Sequence, residues 1–137
     1  MAMADIGRRG LVKGATLGAL VFSVAGAEVI MSAGQARARG VAFRLLDAHQ
    51  GETLEALGET LVPQAREAGI AHFIDQQLSV PPNESLLQAR IFNFRPPFAE
   101  FYRTAMTAVD EGSRKLFGQD FAQLPVADQR EFVDRMR

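Results

Sequence analysis

The chain of 137 residues has no cysteine, no tryptophan, one tyrosine and two histidines. The missing thiols exclude disulfides, thiolate zinc sites, iron–sulfur ligation and a thiol nucleophile together. They do not locate the protein, because a cysteine-free chain is compatible with any redox compartment. Neither sign of charge dominates: 15 Lys and Arg stand against 16 Asp and Glu, a formal net charge of −1. No basic cluster is present to track phosphates, so nucleic acid is not an expected partner. Long apolar runs are missing too. The uncharged segment from Gly14 to Ala27 is shorter than the roughly 20 residues a helix needs to span a bilayer. What remains, 47% hydrophobic and 23% charged, is an ordinary globular composition at a length that supports one domain and one modest core.

Recognisable catalytic patterns are also lacking. Ser23, Ser32, Ser79, Ser85 and Ser113 sit in no nucleophile elbow, and the glycines form neither a dinucleotide fingerprint nor a phosphate loop. Met31, Met106 and Met136 have no histidine partners that would suggest haem ligation. His49 and His72 fall on different predicted helices. His72 and Asp75, one helical turn apart, offer two ligands to a metal, but a solvated histidine at a helix edge accounts for them better. Glu52, Glu55 and Glu59 form an acidic row that reads as a solvated face. No catalytic, cofactor-binding or metal-ligating residue is therefore assigned.

What the chain does contain is helical periodicity. Phe98, Phe101, Tyr102, Ala105, Met106, Val109, Leu116 and Phe117 recur at helical spacing, which predicts one amphipathic helix over 98–117 with Gly118 as its C-cap. Glu100, Arg103, Thr104, Thr107, Asp110, Glu111, Arg114 and Lys115 fall on the polar face. Upstream, Asp47 and Gln50 have capping-box spacing and start a helix near Ala48. Leu54, Leu57, Leu61 and Val62 line that helix, Gly58 marks close packing and Pro63 stops it. A second helix is expected from about Arg66 to Leu78, with Ile70, Phe73, Ile74 and Leu78 on one side. A third is capped by Asn83 and turns Leu86, Leu87 and Ile91 inward, and a last one buries Phe132, Val133 and Met136. No segment alternates with period two for long enough to be a strand. The expected class is all-α, an irregular bundle of four to five helices around 98–117.

The first forty residues differ in composition from the rest. Arg8-Arg9-Gly10-Leu11-Val12-Lys13 precedes the Gly- and Ala-rich run, and Ala25-Gly26-Ala27 supplies small residues after it. Arg8, Arg9 and Lys13 resemble the twin-arginine export signal, with Ala25 and Ala27 marking the cleavage candidate. Gly7, Leu11 and Val12 depart from that pattern. The division expected is an export signal over 1–27, cleaved or retained, a lead-in over 28–46 and a helical domain over 47–137. Because the last amphipathic helix runs to Arg137 without a C-cap, that domain is expected to be C-terminally truncated.

The stretch Thr53-Leu54-Glu55-Ala56-Leu57-Gly58-Glu59-Thr60-Leu61-Val62-Pro63 and its continuation from Ala65 to Leu78 carry a family resemblance. With Phe101-Tyr102-Arg103, Ala108-Val109-Asp110 and Phe121-Ala122-Gln123-Leu124, they resemble the gluconate 2-dehydrogenase subunit 3 family. Pro125 departs from the Ser or Thr expected before a proline there. The resemblance implies a non-catalytic small subunit of a membrane-bound, flavin-dependent sugar or polyol dehydrogenase. It implies a large FAD-dependent partner of the glucose–methanol–choline type, often a cytochrome c subunit carrying haem, and the twin-arginine translocase as export partner. The location implied is periplasmic, at the inner membrane. Phe73, Phe94, Phe98 and Tyr102 are the expected partner-contact residues. Two other readings compete: a standalone periplasmic helical binding protein, and a small enzyme using His72 with Asp75.

Overall fold

A computed structural model describes residues 18–87 and 92–137. Its elements in chain order are β1 (Ala19–Val24), β2 (Ala27–Ser32), α1 (Ala33–Ala38), α2 (Ala48–Leu61), α3 (Ile70–Ser79), a 3-10 turn over Pro82–Glu84, α4 (Phe98–Phe117), a second 3-10 turn over Phe121–Gln123, and α5 (Val126–Arg135). The protein is mostly helical, but the all-α expectation is wrong: the chain carries a two-stranded antiparallel hairpin. Its register pairs Leu20 with Met31 and Phe22 with Val29. These four residues face inward, while Val21 and Ile30 face out. The alternation is real, but only two residues long on each strand and embedded in a Gly/Ala-rich run. Ala25 and Gly26, both at positive φ, form a two-residue turn matching the twist of the paired strands.

Local signals place most helix boundaries. Asp47 accepts from Gln50 N while Gln50 reaches back to Asp47 N, starting α2 as the capping box predicts. α4 occupies the span of the aromatic stripe, and Gly118 in the left-handed region ends it. The helix expected from Arg66 starts later, at Ile70. Gly69 has φ +82°, and the Glu59 carboxylate ties down Gln64 N and Arg66 N, so 64–69 are held as turns. Of the helix expected after Asn83, residues 82–84 form a 3-10 turn, Leu87 is buried and Leu86 is exposed; its continuation to Ile91 lies outside the described residues.

Among the described residues the core falls into three linked clusters. Leu46, Leu54, Ala71, Ile74, Leu87 and Met106 join α2, α3 and α4. Ala56, Phe121, Leu124, Phe132 and Val133 fasten α5 and the second 3-10 turn to α2. Phe22, Met31, Ala33 and Ala36 bind the hairpin to α1. Leu57 packs against the first two clusters, and Phe73 against the first and third. Among the described residues no helix is long and apolar enough to cross a membrane.

Candidate partner-binding surfaces

Among the described residues, two apolar surfaces stand open. The first is a groove of about 720 Å³ between α2 and α3, walled by Leu54, Leu57, Leu61, Ile70, Phe73 and Ile74. Ser32–Gly34 close one side, and none of its described lining residues is charged. Gly58 permits this approach, since a Cβ there would sit 2.9 Å from Ile70 Cγ2. The second surface lies at the N-terminal end of α4. The Phe94 and Phe101 rings meet at 4.6 Å, Tyr102 meets Phe101 edge-on at 5.4 Å, and Phe92 stands 69% exposed two residues before Phe94. Arg103 donates to Leu45 O at 2.9 Å, which brings exposed Leu45 to the same end of the helix.

The stripe on α4 is rotated from the sequence expectation. Its buried row runs through Phe98, Met106, Asp110 and Ser113, with Tyr102 and Phe117 half-buried, whereas Phe101 and Leu116 are exposed. Of the expected contact residues, Phe94 is exposed and Tyr102 half-buried. Phe98 is buried, and Phe73 packs into the core with one side on the groove. Phe101, exposed and in ring contact with Phe94, joins the surface instead. Arg8, Arg9 and Lys13 lie outside the described residues. Ala25 occupies the hairpin turn and Ala27 opens β2.

The polar residues that drew attention hold backbone in place. Asp75, buried on α3, takes Leu45 N and Leu46 N on Oδ1, each at 2.9 Å, and Arg44 N on Oδ2 at 2.8 Å. His72 is buried rather than solvated; its Nε2–H donates to Val41 O at 2.7 Å and its ring lies 4.6 Å from that of Phe43. The two side chains thus serve the 41–46 segment separately. The acidic row also works: Glu55 pairs with Arg37 at 2.5 Å, Glu59 caps the following turn, and Glu52 is exposed.

Sequence reasoning missed Asp110. It is buried, accepts from Phe121 N at 3.1 Å, and faces His49 Nε2 at 2.6 Å. Asp120 approaches His49 at 3.7 Å and pairs with Arg114. The hydrogen bond to Asp110 raises the His49 pKa above its ordinary 6.5, helped by the charges of Asp110, Asp120 and Asp47 and opposed by partial burial. Ligand-type atoms of His49, Asp110 and Asp120 lie within 4.8 Å of one another. Phe121 N–H, the imidazole and the Arg114 guanidinium already occupy them, however, and a fixed positive charge at Asp120 opposes a cation. The cluster ties α2, α4 and the second 3-10 turn together. A signal for it existed: Asp110 stands four residues after buried Met106, on the same helical row.

A family model described as gluconate 2-dehydrogenase subunit 3 matches residues 48–137. The chain belongs to the gluconate 2-dehydrogenase subunit 3 family. The matched stretch starts at the first residue of α2 and takes in α3, α4 and α5, so both apolar surfaces are built mainly from family residues. The hairpin and α1 precede it. As a family of third subunits, it places the chain in a multi-subunit dehydrogenase complex as an accessory subunit, in agreement with a non-catalytic role. Comparison with curated proteins and with solved structures gives no match.

Proposed function

We propose that this gluconate 2-dehydrogenase subunit 3 family member is the non-catalytic small subunit of an exported FAD-dependent sugar or polyol dehydrogenase. It binds a glucose–methanol–choline-type flavoprotein, steadies it during maturation, and supplies the twin-arginine signal at Arg8, Arg9 and Lys13. FAD, and haem c where a cytochrome subunit is present, belong to the partners. The assembled complex sits in the periplasm at the inner membrane. The observation that carries this reading is a family match over a fold whose described residues leave two apolar surfaces open, which supports a subunit awaiting its partner.

The hairpin bears on export. A cut after Ala27 would remove β1 and with it buried Phe22, so the reading includes an uncut leader. The groove supports a second reading, a standalone periplasmic binding protein, since about 720 Å³ of apolar space is the size of a small-ligand site. One experiment separates them: a mild-detergent pull-down of the tagged full chain from its own host, read by flavin absorbance and mass spectrometry. A co-purified flavoprotein supports the accessory subunit. A well-expressed chain recovered alone and colourless refutes it in favour of the binding protein.

A further inference from the structure

We infer that the groove between α2 and α3 is the seat of this chain's own leader, the apolar run over 11–17 that precedes the described residues. The seat is argued from the fold, and only its consequence for export rests on reading Arg8, Arg9 and Lys13 as an export signal. Gly18 is the first described residue, and it lines the groove. Ala19 pairs with Ser32, and Ser32, Ala33 and Gly34 close one side of the same groove. Leu17 is therefore bonded directly to a residue of the groove wall. A Cβ on Gly18 would meet nothing within 4 Å, so the space at this point is open to the chain that leads in.

Run and groove match in chemistry and in length. None of the described lining residues is charged, and Leu61 and Val62 stand 50% and 61% exposed at the groove. Residues 11–17 read Leu-Val-Lys-Gly-Ala-Thr-Leu, with Lys13 as their one charge. Leu54 to Leu61 rise about 10 Å along α2, and seven extended residues span about 23 Å, enough to follow that wall from end to end. Tethering decides among the occupants. A segment joined to its site by a short link has an effective concentration of about millimolar, whereas a second copy or a catalytic subunit is met at its solution concentration. The apolar run that an export machinery engages is thus held by the folded domain, and its release hands over Arg8 and Arg9.

The absence of cysteine makes the test direct. In the full-length chain, Ala15→Cys with Val62→Cys is expected to form an intramolecular disulfide under mild oxidation, followed by mass spectrometry. Adding Leu11→Ser, Val12→Ser and Leu17→Ser keeps the tether unchanged and removes the apolar anchors. That addition should slow the disulfide about tenfold or more, because apolar burial and not proximity holds the run. In the chain without added cysteines, the same three serines should speed trypsin cleavage after Lys13 by a similar factor, since a seated bond is cut only when it opens. Far-UV circular dichroism checks that each variant keeps the fold. Disulfide and cleavage rates that the serines leave unchanged overturn the inference, as does a disulfide formed between chains. A Val62→Cys thiol that alkylates freely in the isolated chain and is protected only in the complex gives the groove to the catalytic subunit, and also overturns it. The disulfide and trypsin readouts need no flavoprotein, so their failure leaves the accessory-subunit reading standing, and the pull-down tests that reading separately.

Discussion

Removing the Asp75 carboxylate should be among the most damaging single changes in this protein. Asp75 accepts three backbone N–H groups, from Arg44, Leu45 and Leu46, and the bond to Leu46 N is buried. In Asp75→Ala all three acceptors vanish. Hydrogen bonds to a charged group contribute about 1.5–3 kcal/mol each when buried, and an orphaned buried N–H costs about 1–3 kcal/mol. Two of the three donors lie nearer solvent and recover water, so the expected loss is about 3–5 kcal/mol. Asp75→Asn separates charge from geometry. Its Oδ1 can keep Leu45 N and Leu46 N, but its NH₂ then meets Arg44 N–H donor to donor, giving an intermediate loss of about 1–3 kcal/mol. The assay is urea unfolding of the full-length chain followed by far-UV circular dichroism, with midpoints compared at unchanged slope. Asp75→Ala within about 0.5 kcal/mol of wild type would refute the view that this carboxylate organises the 44–46 segment.

Three further outcomes are expected. The raised pKa of His49 means that its contribution to stability is fully present below the unfolded value of 6.5 and is lost as pH rises through the folded value. Urea midpoints should fall from about pH 6.5 upward, and His49→Gln should flatten that slope; an unchanged slope would show that the His49–Asp110 contact is not formed. Gly69 has φ +82°, and a Cβ there would sit 2.2 Å from Ala33 O, so Gly69→Ala should cost about 3 kcal/mol or more. Gly40, at φ +68° with open space around it, should cost only about 1 kcal/mol as Ala, a contrast measured in the same denaturation series. Starting the chain at Glu28 removes Phe22 from its cluster and should destabilise by about 3–5 kcal/mol. In the native protein, mass spectrometry of the N-terminus should find β1 still attached, and cleavage after Ala27 in a stable complex would refute an uncut leader.

Sequence was most informative where a signal acts over one or two helical turns. The Asp47–Gln50 capping box, the bounds of α4, the Gly118 cap and the inward positions of Phe132 and Val133 are all local, and each stands in the structure as read. The strings that carry the family resemblance lie mostly on α2, α3 and α4, where such patterns are strongest. The hairpin escaped because its inward residues number two per strand, and its glycines and alanines also suit a leader. Periodicity set Phe101 and Leu116 on the apolar side of α4 and Asp110 on the polar side; the packed structure turns that helix so that the carboxylate is buried and the rings emerge.

By itself, the sequence determined a cysteine-free, largely helical chain, most of its helix boundaries and the residues of its family resemblance. Periodicity and capping are properties of neighbours along the chain. Only the tertiary structure decided which carboxylates carry structural load and which aromatic rings remain uncovered. Asp75 meets backbone 29 to 31 residues away, and His49 meets Asp110 across 61. Whether a side chain on an amphipathic helix is core or surface depends on where the other helices end, and no local pattern carries that information.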